Sequence, residues 1–189
     1  MKRNIKEIVF AVSVIVILVS ITYRLSYAYF VATVTGNSTA TASTIGAGTL
    51  NVNFTTSQYV SNDSLMLISD ADKATSAEKM LFSVSQATAT TVAARYNVYL
   101  TELSITNNFK SSDFKWELLR NSSVIASGNF TTAVSGTDFK LNSTALDLAV
   151  NATDNLELRL WLSQQDYDQL SLTNGTFSAK VKIEALAGA

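Results

Sequence analysis

Alternating apolar and polar residues run through much of this chain, and they predict β-strands that bury one face of a sheet. The segment 49–55 places Leu50, Val52 and Phe54 on one face and polar residues on the other. Strands are also predicted over 80–85, 95–103, 114–118, 156–162 and 176–186. The residues expected to point inward in the later strands are Tyr96, Val98, Leu100, Phe114, Trp116, Leu118, Leu156, Leu158, Leu160, Leu162, Phe177, Ala179, Val181, Ile183 and Ala185.

Turn residues divide these strands. Asn121, Ser122 and Ser123 predict a hairpin between 115–120 and 124–130, and Asn174-Gly175 predicts the turn before the last strand. The segment 37–48 is a weak strand or an extended loop, and 59–79 is less periodic, which indicates a short helix or a long connection. Seven to nine strands with one long connection indicate an all-β fold, an antiparallel β-sandwich of the jelly-roll or immunoglobulin-like kind. No internal repeat or boundary is visible, so we expect one domain over 29–189.

The first 28 residues have the pattern of a signal peptide. Three basic residues, Lys2, Arg3 and Lys6, precede an apolar run over 8–21. A helix of that length spans about 21 Å, less than the roughly 30 Å hydrocarbon core of a membrane. Small residues precede the Ala28–Tyr29 bond, as signal peptidase requires. Cleavage there is the prediction, with a retained membrane anchor as the alternative; both place 29–189 outside the cytoplasm, in an extracellular or cell-surface location, and before processing the N-terminal helix holds the chain in the membrane.

Charge and cysteine content narrow the class of protein further. The chain has 14 basic and 15 acidic residues, and removing residues 1–28 leaves 10 basic and 14 acidic, a net charge of about −4. A mildly acidic surface gives no reason to expect a nucleic acid partner. The chain has no Cys, so an exported domain must hold together without disulfides, and this favours a Gram-positive surface over a eukaryotic secretory route.

Common catalytic centres lack the residues they need. The chain contains no His and no Cys, so it has no HExxH zinc site, no Ser-His-Asp triad and no thiol nucleophile. Asp70 with Asp72, and Asp166 with Asp168, have the spacing of calcium-loop fragments, but neither pair is followed by the Gly and Glu of an EF-hand. These carboxylates are solvated loop residues or weak calcium ligands. We expect neither an enzyme nor a cofactor.

Several stretches carry a resemblance to a known family. They are Ala28-Tyr29-Phe30-Val31-Ala32-Thr33-Val34-Thr35-Gly36-Asn37, Gly48-Thr49-Leu50-Asn51-Val52, Tyr96-Asn97-Val98-Tyr99-Leu100, Lys115-Trp116-Glu117-Leu118, Leu156-Glu157-Leu158-Arg159-Leu160-Trp161-Leu162 and Phe177-Ser178-Ala179-Lys180-Val181. Together they resemble the TasA/camelysin family of Gram-positive secreted surface and biofilm-matrix proteins. The resemblance implies a jelly-roll fold. It also implies a fibre in which each N-terminal strand enters a groove of the neighbouring subunit, with the partners being further copies of the chain or related matrix subunits.

The segment after the cleavage site fits that role by its own chemistry. A strand freed at Tyr29 has unpaired backbone groups that another sheet can satisfy, and a head-to-tail contact of this kind need not close. The predicted donor strand consists of Tyr29, Phe30, Val31, Ala32, Thr33, Val34 and Thr35. The alternative is that this segment is the first strand of an ordinary monomer.

Two aromatic residues fall on the outward faces of predicted strands. Tyr99 and Trp161 therefore form a candidate surface contact for sugar or for another subunit, unless a loop or the 59–79 connection covers them. They define the rival function, a surface adhesin or carbohydrate-binding module.

Overall fold

The computed structural model describes residues 30–32, 41–45, 48–56, 59–61, 65, 67–86, 93–172 and 174–186. The predicted signal helix and the Ala28–Tyr29 bond lie outside these residues. Within the described part of the chain, no helix is both long and apolar enough to cross a membrane.

Two antiparallel sheets make up the fold. The first contains β1 (Phe30–Ala32), β4 (Tyr59–Ser61), β7 (Ala94–Ile105), β10 (Phe139–Lys140), β11 (Leu146–Leu148) and β13 (Phe177–Leu186), in the order β1-β13-β7-β10, with β4 beside β13 and β11 beside β7. The second contains β2 (Thr41–Ile45), β3 (Gly48–Phe54), β5 (Leu67–Ile68), β6 (Glu78–Gln86), β8 (Phe114–Arg120), β9 (Ser123–Asn129) and β12 (Thr153–Ser163), in the order β2-β3-β6-β12-β8-β9. The short β5 pairs parallel with β12.

Helical structure in the described residues is limited to single turns. The α-helix α1 covers Lys73–Ser76, and 3₁₀ turns cover Asn107–Phe109 and Leu170–Leu172. The all-β, sandwich-like fold predicted from the alternation is thus confirmed. The described chain has thirteen strands instead of seven to nine because β1, β4, β5, β10 and β11 are only two or three residues long. In segments this short, an alternation of apolar and polar residues cannot be recognised.

The core lies between the two sheets and consists of the residues that alternation predicted to be inward. Every one of those side chains is at most 9% exposed, including Leu50, Val98 and Leu158. Full burial of an apolar side chain of this size contributes about 1.5–3 kcal/mol, so the core supplies the main stabilisation of a chain without disulfides. The predicted turn at Asn174-Gly175 is also present, and a Cβ on Gly175 would lie 2.0 Å from the Phe109 ring. Glycine is needed there because the two segments approach so closely.

A buried side-chain contact between Tyr96 and Asp154 joins the two sheets. The hydroxyl of Tyr96, on β7, donates a hydrogen bond of 2.7 Å to Oδ2 of Asp154, on β12. Arg120 Nε lies 2.8 Å from Oδ1 of the same carboxylate. Tyr96 is 0% exposed and Asp154 is 3% exposed. The carboxylate therefore has both an ionic partner and a neutral donor, which buried charge requires.

The predicted hairpin of β8 and β9 is present and forms one edge of the second sheet. Asn121 and Ser122 turn the chain with φ of 49° and 68°. Both values lie in the left-handed region, as type I′ hairpin turns require. The register shifts between Leu118 and Leu119, so β9 contains a bulge.

Candidate functional site

The predicted donor strand contacts the last strand of its own chain. Its described part, β1, pairs antiparallel with β13, with Phe30 opposite Ala185, Val31 opposite Glu184 and Ala32 opposite Ile183. Tyr29, Thr33, Val34 and Thr35 lie outside the described residues. The contact is a backbone ladder of three residues at the edge of the first sheet.

Strands pair with both edges of β13. On one side β7 pairs with nearly the whole of β13. On the other side β1 meets residues 183–185 and β4 meets residues 178–180. The edge of β13 is thus completed by two separate three-residue strands.

Charged side chains cover the solvent face of β13. Lys180 Nζ lies 2.7 Å from Glu102, and Lys182 Nζ lies 2.5 Å from Asp138. Glu184 accepts a 2.8 Å hydrogen bond from the hydroxyl of Tyr99. The ionic and hydrogen-bonding side chains of β13 thus lie on the solvent face, and its apolar side chains pack in the core.

Tyr99 is half-buried on that face. Lys140 Nζ lies 6.0 Å and Lys182 Nζ lies 5.6 Å from the centre of its ring, within the range of a cation–π contact. Partial burial, together with the nearby Glu184 carboxylate, raises the pKa of Tyr99 to about 12. The ring is therefore already flanked by two ammonium groups of its own chain.

Trp161 is buried, and this corrects the expectation that it forms an open platform with Tyr99. Its side chain is 3% exposed and belongs to a small cluster with Ile68 and Ala77. The Lys73 ammonium lies 5.5 Å from the centre of its ring. The segment that contains β5 and α1 therefore covers Trp161, which is the alternative that the sequence left open for it.

Asp70 holds this covering segment to the sheet. Its carboxylate accepts hydrogen bonds from Trp161 Nε1 at 2.8 Å, Ser163 Oγ at 2.7 Å and Lys115 Nζ at 2.6 Å. Partial burial alone would raise the pKa of Asp70, but these donors outweigh it and lower the pKa to about 2. The carboxylate is thus occupied by protein groups, as expected for a structural anchor.

The other predicted acidic pair also lies in a loop. Asp168 Oδ1 accepts a 2.9 Å hydrogen bond from the backbone N–H of Leu170. Among the residues that the structure describes, no group of three or more acidic side chains could hold a metal ion.

A cleft that neither alternation nor turn residues predicted lies in the loop that joins β12 to β13. The cleft has a volume of about 450 Å³ and is lined by Leu67, Gln164, Gln165, Tyr167, Asp168, Gln169 and Leu170. Tyr167 is 58% exposed and Leu170 is 70% exposed. A signal was available in the run of amides and acids over 164–169, which is too long and too polar for a tight hairpin turn.

Hydrogen bonds hold the aromatic ring of this cleft in place. The Tyr167 hydroxyl donates to the buried Asp113 carboxylate and lies 2.6 and 2.7 Å from its two oxygens. Gln169 Nε2 donates to Asp113 at 3.0 Å and to the carbonyl of Ser163 at 2.9 Å. The Asp113 carboxylate raises the pKa of Tyr167. The loop therefore presents a positioned ring beside amide groups.

Comparison with protein-family models, with curated proteins and with solved structures found no match. The described residues offer two kinds of surface, which are sheet edges and a cleft lined by both polar and apolar side chains, with an exposed aromatic ring.

Proposed function

We propose that this chain is a secreted, non-enzymatic structural protein of a Gram-positive cell surface, akin to the TasA/camelysin group. It acts as a fibre or biofilm-matrix subunit, and the N-terminal strand of one copy completes the first sheet of the next. Signal peptidase frees that strand by cutting between Ala28 and Tyr29. The partners are further copies of the chain or related matrix subunits.

The pairing of β1 with β13 is the observation that carries this proposal. The contact is a main-chain ladder, and main-chain hydrogen bonds form equally well with a strand from another molecule. The acceptor edge also supports exchange, because the described strands β1 and β4 each pair with only three residues of β13 there. A strand that leaves its own β13 exposes an edge that the next copy can fill, so growth proceeds head to tail.

Deletion of the strand is the direct experiment. Secreted protein that begins at Tyr29 should form filaments under the electron microscope, and the same protein without residues 29–35 should remain unpolymerised while keeping its β-sheet circular dichroism signal. Filaments of equal length from both forms would contradict the proposal.

Cysteine pairs test the exchange itself, since the natural chain has no Cys to interfere. Val31 and Glu184 are direct partners across the ladder. The double variant V31C/E184C should lock the strand within one molecule on oxidation and stop growth. An equimolar mixture of V31C and E184C single variants should instead give disulfide-linked dimers.

A mismatched pair provides the control for that experiment. Ser178 faces β4 and lies away from the register of Val31. A mixture of V31C and S178C should therefore give few linked dimers. Absence of linkage between V31C and E184C, in protein that has formed filaments, would show that polymerisation uses another contact.

The cleft at Tyr167 favours a second candidate function, a carbohydrate-binding adhesin. An exposed aromatic ring beside amide and carboxylate groups suits a sugar, which presents an apolar face and a rim of hydroxyls. Titration with cellohexaose or chitohexaose should show binding that Y167A abolishes and that Y167F weakens, because the hydroxyl that positions the ring against Asp113 is then lost, with Y99F as a control for tyrosine loss elsewhere. Equal binding by Y167A would exclude this cleft as the sugar site.

A further inference from the structure

Exposed apolar side chains gather at the cleft between β5 and the loop that joins β12 to β13. Tyr167, Leu170 and Leu67 are all exposed, and all three line this cleft. They come from distant parts of the chain, since Leu67 belongs to β5 and the other two follow β12. The volume of about 450 Å³ is within the range of small-ligand sites. An exposed apolar cluster with polar groups at its rim is typical of a binding site.

The ring of Tyr167 is held in position by the protein itself. Its hydroxyl lies 2.6 and 2.7 Å from the two oxygens of Asp113, and Gln169 Nε2 donates to the same carboxylate at 3.0 Å. Asp113 is buried, so the phenol end of the side chain is anchored while the ring remains in contact with water. A ring that is already oriented loses little conformational freedom on binding, and this favours stacking against a flat ligand.

Negative charge around this ring has no basic counterpart in the described residues. Asp166 and Asp168 flank Tyr167 in the sequence, and Asp113 lies behind it. No described Lys or Arg forms an ion pair with any of these three acids. The stretch 160–179 contains two acidic residues and no basic one. The field of these carboxylates therefore favours a ligand with positive charge.

We infer that the cleft binds a cationic amino sugar, an oligomer of glucosamine with protonated free amines. This inference rests on the second proposed function, sugar binding at the same cleft, and it names the class of sugar. The apolar face of one sugar ring stacks on Tyr167, and Leu67 and Leu170 border it. The ammonium group at C2 lies towards the carboxylate of Asp168, which lines the cleft.

The lining of the cleft favours a sugar over a basic peptide. Gln164 and Gln165 are among the lining residues, and amide groups both donate and accept hydrogen bonds, as sugar hydroxyls require. Peptides are commonly bound by addition to a strand or by docking of a helix in a groove. Residues 164–169 form neither a strand nor a helix, so this side of the cleft offers no such frame.

Three hexamers that differ only at C2 of each ring test the inference on the secreted protein. Cellohexaose carries a hydroxyl there, chitohexaose an acetamide and the glucosamine hexamer an amine. At about pH 5.5 the amines are largely protonated, and the Asp carboxylates are ionised because their usual pKa is about 3.9. Calorimetric titration should show the glucosamine hexamer binding at least about fivefold more tightly than cellohexaose, and added salt should reduce this ratio.

Amide substitutions identify the source of the preference. D166N/D168N should reduce the ratio of the two affinities to about twofold or less, since the exposed charges are then lost. The Asn oxygen at position 168 can still accept the N–H of Leu170, so the loop is preserved. The matched control is D72N, because Asp72 is an exposed acid outside the cleft, and this variant should keep the full preference. Y167A should abolish the binding of all three hexamers.

Hexalysine distinguishes an amino-sugar site from a general attraction for cations. It has as many side-chain amines as the glucosamine hexamer but no sugar ring, so it should bind at least about tenfold more weakly. Equally tight hexalysine, or a full preference in D166N/D168N, would overturn the inference. Equal affinities of the wild type for cellohexaose and the glucosamine hexamer would also overturn it, while sugar binding at the cleft would stand. Binding of none of the three sugar hexamers would overturn both.

Discussion

Asp70 is one of the residues that link the covering segment to the second sheet. Its carboxylate accepts hydrogen bonds from Trp161, Ser163 and Lys115, which lie on β12 and β8. Because these donors favour the charged form, they lower its pKa to about 2 in spite of partial burial. A carboxyl group whose pKa is lower in the folded than in the unfolded state stabilises the fold above pH 4 and ceases to do so as the pH falls towards 2.

Replacement of Asp70 by Ala should therefore destabilise the protein in a pH-dependent way. At pH 7 we expect a loss of about 1 kcal/mol in the free energy of unfolding, since the side chain is half-exposed and water screens the ion pair. The difference between D70A and the wild type should shrink as the pH falls from about 4 to about 2. Urea unfolding followed by tryptophan fluorescence measures it directly.

Asp72 provides the control for that change. It precedes α1 but makes no side-chain capping hydrogen bond, so D72A should alter the stability little. A difference between D70A and the wild type that stays constant from pH 7 to pH 2 would show that the carboxylate charge is not the source of the effect.

Trp161 shows what alternation cannot predict about a single residue. The period of β12 places Trp161 on the outward face, and this is correct for the sheet alone. Its burial depends on a segment almost a hundred positions earlier in the chain, whose Asp70 accepts its indole N–H. A periodic pattern describes one strand against one core, so it contains no information about a second layer that folds over the outer face.

A single substitution in the turn between β8 and β9 should raise the stability of the protein. Ser122 adopts a φ of 68°, where a residue with a Cβ is strained and Gly is not. The substitution S122G should stabilise the protein by about 0.5–1 kcal/mol, because Asn-Gly is the preferred pair for this turn. The midpoint of urea unfolding should rise with no change in the slope of the transition.

Ser123 gives the matched test of that reasoning. It is the first residue of β9 and is extended, so S123G should lower the stability through the greater freedom of the unfolded chain. Equal effects of S122G and S123G would mean that the positive φ is not the cause of the gain.

The strands and turns that the sequence predicts correctly are those with a strong local pattern of residues. The long strands, their inward faces and the β8–β9 hairpin follow from alternation and from turn residues such as Asn121. The order of strands within each sheet does not follow, because it depends on contacts between distant segments. The exposure of β9 illustrates this limit, since the pattern of Val124 to Asn129 does not show whether another strand lies beside it.

At the scale of the whole molecule, the two sheets end in different described edges. In the first sheet, the described strands β1 and β4 pair with three residues each along one edge of β13. In the second sheet, β9 is the last strand of the described order, next to β8. In the proposed assembly, strand exchange at the edge of β13 extends a filament head to tail.

Such assembly requires that the two sheets stay together while their edges pair. The hydrogen bond from Tyr96 to Asp154 crosses the core between them, and Arg120 balances the carboxylate charge. Burial, together with the Asp154 carboxylate, raises the pKa of Tyr96 above its usual value near 10. The neutral phenol therefore stabilises the fold fully below pH 10, and this contribution is lost as the pH rises above 10.

The substitution Y96F should accordingly cost about 1–2 kcal/mol at pH 7, since the ring still fills the core while Asp154 loses its neutral donor. The difference in free energy of unfolding between Y96F and the wild type should narrow above pH 10. There the phenol ionises in the unfolded wild-type chain, which stabilises the unfolded state and so destabilises the wild-type fold, whereas Y96F has no phenol at this position. Urea unfolding at pH 7, 9 and 10.5 measures this difference.

Y99F is the comparison, and it should cost less because the hydrogen bond from Tyr99 to Glu184 lies on the outer face in contact with water. A Y96F difference that is as large at pH 10.5 as at pH 7 would mean that the phenol contributes through packing and not through its proton, and the link between the sheets would then be apolar.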